Sequence, residues 1–418
     1  MPRAITGRTS AAGVLAVGLL VILAGCTTAL SDPVQIPVPS SVWSSGSVPI
    51  PPSAASTHGE STPRRPQDGT PIPFRDQLPG MPPAIGHDLY SATRAGMLAE
   101  QVVRDPALLY VPDSGGRRVT VISQRTHRIV RILHVGAMSQ HVTPSYDLRR
   151  LYTNSSAANE LVPIDPRTGK LAGRRLRVPR PYNLYFTPDG RQAVVMSEQR
   201  DQIRFSDPRT FRLIAARRSP ACRGPNHADF SGNGRYLLVS CEFSGVLLRI
   251  ATLSHRVTGV LRLGRTSMPQ DVRVSPDGRL FYVALMGRNR IALVDTEHLR
   301  VVANIRTPSG PHGLYPSRDG SKLYVSDRGA GSVSVVSFAR RRIVSTWRIP
   351  GGGSPDMGGV SADGRTLWLT GRYDGVVYGF DTRRGRLVAR ITVGGSPHGM
   401  AVWPQPGRYS LGHTGNMR

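Results

Sequence analysis

Four of the chain's 11 histidines, His141, His227, His312 and His398, occupy like positions in a pattern that returns every 42 to 44 residues. The two-residue slot that holds them reads Gln140-His141, Tyr182-Asn183, Asn226-His227, Gln270-Asp271, His312-Gly313, Asp356-Met357 and His398-Gly399 in successive copies. A second slot, one apolar run further on, holds Glu198, Glu242, Arg328 and Arg372. Imidazole and carboxylate suit Zn, Cu or Fe, so His141, His227, His312 and His398 are candidate ligands for a transition metal. Arg328 and Arg372 carry planar forks that grip a carboxylate or phosphate. His312 or His398 beside Glu198 or Glu242 could exchange a proton with a substrate. A plainer reading has these short polar groups capping strand ends and binding channel water. All three stay open, and the ligand-binding set they share is His141, Asn183, Glu198, His227, Glu242, Asp271, His312, Arg328, Asp356, Arg372 and His398. There is no Gly-x-Ser-x-Gly elbow, no Gly-x-x-x-x-Gly-Lys and no His-Glu-x-x-His to select a reaction. Gly351-Gly352-Gly353-Ser354 joins two strands and does not open a helix, so it reads as a loop and not a nucleotide site.

The elements that must position these groups are short strands. Tyr110, Tyr152, Val194, Leu238, Tyr282, Tyr324 and Trp368 share one place in the pattern. Each copy carries four strand-like runs, in the fifth copy Leu280-Val283, Ile291-Val294, Val301-Ile305 and His312-Tyr315. β-Branched and aromatic residues fill the runs, while Gly, Asp, Asn and Pro punctuate them. The turn recurs as Thr187-Pro188-Asp189-Gly190, Ser231-Gly232-Asn233-Gly234, Ser275-Pro276-Asp277-Gly278 and Ser361-Ala362-Asp363-Gly364. One four-stranded sheet cannot bury both faces, whereas seven around an axis can, with only short edges left. The expected fold class is therefore all-β, a seven-bladed β-propeller of four-stranded blades preceded by a signal peptide and a disordered Pro-rich linker. Both the segment near Met97 to Arg104 and that from Pro397 to Val402 could complete the first blade; the C-terminal one is expected.

The wording of the repeats, Leu323-Tyr324-Val325-Ser326-Asp327, Gly331-Ser332-Val333-Ser334-Val335-Val336 and Pro311-His312-Gly313-Leu314, resembles the YVTN-type propeller repeat from about residue 107 to 404. The stretch from Trp403 to His413 resembles the ending of actinobacterial lipoproteins that carry this propeller. The resemblance implies the fold and no single activity, because such propellers include binding proteins, lactonase-like enzymes and relatives of haem and copper domains. The denser histidine set of a copper-cluster propeller is not matched here.

Arg3 and Arg8 precede an apolar run from Ala11 to Gly25, an export signal too short to span a bilayer comfortably. Its ending, Leu23-Ala24-Gly25-Cys26, resembles the bacterial lipobox, which implies cleavage before Cys26, lipidation of its sulfur and an extracytoplasmic protein anchored to the cell membrane. Thirteen of the chain's 35 prolines fall between Asp32 and Ile85, among Ser and Thr. That composition reads as an extended stalk reaching roughly 40 Å. The expected organisation is a signal peptide over 1–25, a linker over 26–86 and the propeller over 87–418, as a monomer. Cys222 and Cys241 fall on one hairpin, which brings them near each other, and export favours a disulfide. Two free thiols are the alternative. No Cys-x-x-Cys-His occurs, which excludes covalent c-type haem attachment.

The formal net charge is +27, with 54 Lys plus Arg against 27 Asp plus Glu, and only Lys170 and Lys322 are lysine. Arg191, Arg235, Arg279, Arg365 and Arg408 follow the turns between first and second strands. Arg125, Arg128, Arg167, Lys170, Arg209, Arg212, Arg256, Arg300, Arg340, Arg341, Arg342, Arg383, Arg384 and Arg386 sit in or beside the turns between third and fourth strands. Both kinds of turn lie on one face of a propeller, so that face should be a basic annulus, suited to anionic lipid or an anionic wall polymer or else simply a solvated rim whose arginines reflect codon bias. A nucleic-acid partner is not expected, since no reading element resembles a helix-turn-helix or an RNA-binding sheet.

Overall fold

Seven antiparallel sheets surround one axis in the computed structural model, which describes residues 71–72, 74–413 and 415–418. The expected signal peptide, Cys26 and the stalk up to residue 70 lie outside the described residues. Six sheets run in chain order from the innermost strand outward, beginning at Ser139–Pro144, Asn183–Phe186, Pro225–Phe230, Pro269–Val274, Pro311–Pro316 and Pro355–Val360. The first of these has its outer strand in two short pieces, Lys170–Leu171 and Leu176–Arg177. The seventh sheet closes the ring: Ala401–Trp403 pairs with Leu108–Pro112, in the register Leu108↔Trp403 and Tyr110↔Ala401. The C-terminal segment therefore completes the first blade, as the repeat phase requires. We number the blades from this one, so the blade beginning at Ser139–Pro144 is the second.

Second strands such as Leu280–Leu285 are buried along their whole length, because both faces of each sheet are covered by neighbouring blades. Outermost strands alternate instead, as Val257–Arg262 does between half-buried and exposed. The core is a set of inter-blade wedges; one joins Tyr185, Val194, Phe205, Phe230, Leu237 and Leu248 across the third and fourth blades. In that fourth blade a disulfide links Cys222 and Cys241.

Two segments outside the blades close the face that carries the Asp-Gly turns. Residues 74–98 form a strap across it. The N–H groups of Leu78, Leu89 and Gly96 donate to the carbonyls of Asn233 (2.7 Å), Pro276 (2.9 Å) and Ala362 (2.9 Å). Leu78, Leu89 and Tyr90 are buried, and the Tyr90 hydroxyl donates to the Val274 carbonyl at 2.7 Å. The described part of the Pro-rich stretch, from Phe74 onward, thus lies on the propeller. Its apolar residues fit over turn glycines, since a Cβ on Gly234 would stand 2.7 Å from Met81 Sδ.

The second segment is the C-terminal tail after Trp403, which enters the channel from the same face. The Phe186 N–H donates to the Leu411 carbonyl at 3.0 Å, and the His413 N–H donates to that of Leu184 at 2.8 Å. Gly412 makes this approach possible: its φ is +91°, and a Cβ there would stand 2.3 Å from the Leu184 oxygen.

Candidate functional site

A bulge in the innermost strand presents most of the site residues. The ladder skips between Ser139 and Val142, Pro225 and Ala228, Pro269 and Val272, Pro311 and Leu314, and Pro355 and Gly358. The residues left off it are 140–141, 226–227, 270–271, 312–313 and 356–357, which are slots already singled out by the repeat. A bulge frees two residues from pairing and re-aims their side chains, here toward the axis. Polar side chains take up the unpaired backbone: Asn226 Oδ1 accepts the His227 N–H at 2.8 Å and Asp271 Oδ1 accepts the Val272 N–H at 2.9 Å. Asp271 Oδ2 then accepts the Leu314 N–H of the next blade at 2.9 Å.

These residues gather into two adjoining groups inside the channel. In the first, Asp356 lies at the centre. His398 Nδ1 approaches its Oδ2 at 2.7 Å, His312 Nδ1 its Oδ1 at 3.1 Å, Arg328 its Oδ1 at 3.1 Å and Arg372 its Oδ2 at 3.7 Å. Burial alone would raise the Asp356 carboxyl, but His312, Arg328 and Arg372 hold it below the usual carboxylate range. Arg328 also packs against the Tyr373 ring, 5.7 Å from its centroid.

In the second group His141, His227 and His413 each offer a ring nitrogen, and the three atoms lie within 4.8 Å of one another. The His227 and His413 ring centroids are 4.7 Å apart, and that of His141 is 4.7 Å from His398. His141 Nδ1 bonds to the Tyr182 carbonyl at 2.9 Å, which leaves Nε2 to face the cluster; the Nε2 atoms of both His141 and His227 are buried without a hydrogen-bond partner. The amide nitrogen of Asn183 contacts the Nδ1 atoms of His227 (3.3 Å) and His413 (3.2 Å). His413 Nε2 lies 3.3 Å from Asp271 Oδ1, and Asp271 is paired with buried Arg273 at 3.2 Å.

All five rings are shut away from solvent, between 0% and 2% exposed. Burial is the main cause that keeps each imidazole neutral, holding His227 near 3 and His141, His312, His398 and His413 below the ordinary histidine range. Glu198 and Glu242 stand above, half-buried beside Tyr182. Burial, and then its neighbour Glu242, push the Glu198 carboxyl up to about 8, while burial raises Glu242, whose Oε2 accepts from Asn226 at 3.0 Å.

The structure brings together every residue of the proposed ligand-binding set, divided so that His312 and His398 face Asp356 while His141 and His227 face the tail. Four partners escaped the sequence reading: His413, Arg273, Asp229 and Arg418. Arg273 had a readable signal, because it stands two residues after Asp271 and therefore on the same side of the strand. Arg418 pairs with Asp229 at 3.0 Å, deep in the channel, and Asn416 donates to the same carboxylate at 3.1 Å. Nothing in the repeat foretold that the tail would turn back inside.

The chain is thus a closed seven-bladed propeller with a polar, buried axis. The chain belongs to the YNCE-like β-propellers, whose family model matches residues 140–406. Among solved structures it is similar to hydrazine synthase of Kuenenia stuttgartiensis, at 18% identity over 64% of this chain and 90% of that one, with a TM-score of 0.56. It is also similar to a functionally unknown protein from Desulfotomaculum acetoxidans, at 16% identity over 70% and 98%, with a TM-score of 0.58. A third likeness is to apo AztD from Citrobacter koseri, at 15% identity over 75% and 99%, with a TM-score of 0.51. At these identities the likeness is one of fold. No curated protein matches the chain.

Proposed function

We propose that this chain is a binding propeller held at the cell envelope by a lipid on Cys26, and that its ligand centre is the axial cluster of histidines and carboxylates. The observation that carries this reading is the closure of that centre: the five histidines are at most 2% exposed. A general base must reach the proton it takes, and groups this enclosed suit retention of a small ligand better than turnover of a large one. The apolar run from Ala11 to Gly25 and its lipobox-like ending at Cys26 support an envelope location. The exposed arginines on the turn face, among them Arg209, Arg256, Arg300 and Arg340, suit contact with anionic lipid or wall polymer. A ring that closes on its own C-terminal strand needs no second copy to complete a blade, which supports a monomer.

The test is a turnover screen of the purified protein with lactones and redox substrates. No activity above background is expected. Turnover that disappears in His398→Ala or Glu242→Gln would replace this reading with a metal-assisted hydrolase or oxidoreductase using the same centre.

A further inference from the structure

We infer that the ligand of this centre is a late first-row transition-metal cation, such as Zn2+ or a copper ion, held by His141, His227 and His413, so that the C-terminal tail completes the site. The inference rests on the binding reading above and names the ligand class it left open.

Three observations support it. The donor nitrogens of the three residues already lie within 4.8 Å of one another, from three separate parts of the chain: the second blade, the fourth blade and the tail. Two of the imidazoles, His141 and His227, carry a buried Nε2 with no hydrogen-bond partner. Leaving such an atom unsatisfied costs on the order of 1–3 kcal/mol, and a bound cation would satisfy both. The ring orientations are fixed from behind, as metal-binding imidazoles commonly are: the Tyr182 carbonyl holds His141 Nδ1 at 2.9 Å, and Asp271 stands 3.3 Å from His413 Nε2.

The surroundings also select the metal. The three aspartates along the axis already have arginines, Asp356 with Arg328 and Arg372, Asp271 with Arg273 and Asp229 with Arg418, while burial favours the neutral form of Glu198 and Glu242. Little uncompensated negative charge remains for a hard cation that wants six or more oxygens, such as Ca2+. Neutral imidazoles instead favour Zn and Cu, and three of them leave a fourth position open. His312 and His398 stand outside the converging trio: both face Asp356 through Nδ1, and the other ring nitrogen of His398 meets the Tyr182 hydroxyl at 3.2 Å.

The tail is the part that sequence repeats could not anticipate and the part that makes the set complete. It docks through the Arg418–Asp229 pair and the backbone bonds of Leu411 and His413 to the third blade. Loading and tail docking should therefore support each other, since a ligand that binds only the docked arrangement stabilises it.

The experiment uses the full chain in detergent, purified without chelator or a metal-binding tag, with ZnCl2 or Cu+ alone as the probe. After dialysis, elemental analysis should find one equivalent. His227→Ala and His413→Ala should each weaken binding at least ~100-fold, while His298→Ala on the exposed rim changes nothing. His413 has a φ of +50°, which asparagine tolerates, so His413→Asn repeats the test if the alanine variant misfolds. Tail protection in hydrogen exchange should rise on loading in the wild type only. A chain that retains less than a tenth of an equivalent overturns the metal assignment, as does metal that survives in both His413 variants. With no turnover in the substrate screen, either result leaves the binding reading standing. Metal retained together with turnover lost in His398→Ala would instead sink that reading and leave the metal site in place.

Discussion

Asp356 is the residue on which the channel's charge balance depends. It is wholly buried and meets His312, His398, Arg328 and Arg372, with side-chain exposures of 12% for Arg328 and 22% for Arg372. Replacing the carboxylate leaves guanidinium charge underground without its partner, a change that costs about 3–5 kcal/mol. Asp356→Asn should therefore lower the urea midpoint sharply, while Asp363→Asn, on an exposed turn, should move it little. Asp327 gives a pH signature. Burial pushes its carboxyl up to about 7, in spite of hydroxyls from Ser332 and Ser334 donating to Oδ2 at 3.0 and 2.8 Å. The folded protein keeps a proton that the unfolded chain, with its ordinary value of 3.8, releases. This contribution is whole below about pH 4 and is lost as pH rises through about 7, on the order of 4 kcal/mol in all. Asp327→Asn should flatten stability over that window in urea titrations at successive pH values. An unchanged slope would show that Asp327 is not the group responsible. At this scale the sequence was informative wherever a residue recurred at the repeat period, as His141, His227 and His398 do. It was silent on Asp229 and Arg418, whose meeting depends on a tail with no repeat to compare it with.

Among the elements, the bulged innermost strand does most to make the site. The strands themselves were legible from β-branched runs between Gly and Asx turns, and Ala401–Trp403 closes the ring where the pattern's phase puts it. The bulges were not, because a run such as Pro-Asn-His-Ala-Asp-Phe over Pro225–Phe230 reads as a straight strand until its partner is known. The strap over residues 74–98 was hidden for a different reason: its proline content resembles that of the stalk, and its buried apolar residues, Leu78, Leu89 and Tyr90 among them, follow no repeat. The Cys222–Cys241 disulfide pins the entry of the fourth blade's innermost strand to the end of its neighbour, across 19 residues of sequence. A loop of that length limits the unfolded chain by about 3 kcal/mol. The Cys222→Ser, Cys241→Ser double variant should lose roughly that amount in denaturant unfolding, with the blade otherwise intact. A loss below 0.5 kcal/mol would mean that the strands on either side hold the hairpin without it.

At the scale of the whole molecule, the proposed lipid anchor and the proposed contact of the arginine-bearing turns with an anionic surface can each be tested apart from the closed axis. Cys26→Ser should move the chain from the membrane fraction to the soluble one; a chain that stays in the membrane pellet would contradict the lipid anchor. Arg340→Glu, Arg341→Glu and Arg342→Glu together should weaken binding to vesicles of anionic phospholipid at low salt, and added salt should erase the difference. Equal binding by both proteins would remove these arginines from the contact. Neither result decides what the axis holds. The most direct measurement is an anomalous-difference map from crystals of the zinc-loaded protein, collected at the metal edge. One peak is expected on the axis, bounded by His141, His227 and His413, with the tail in place. A peak only on the surface, one beside Asp356 away from His413, or no peak after loading would contradict it.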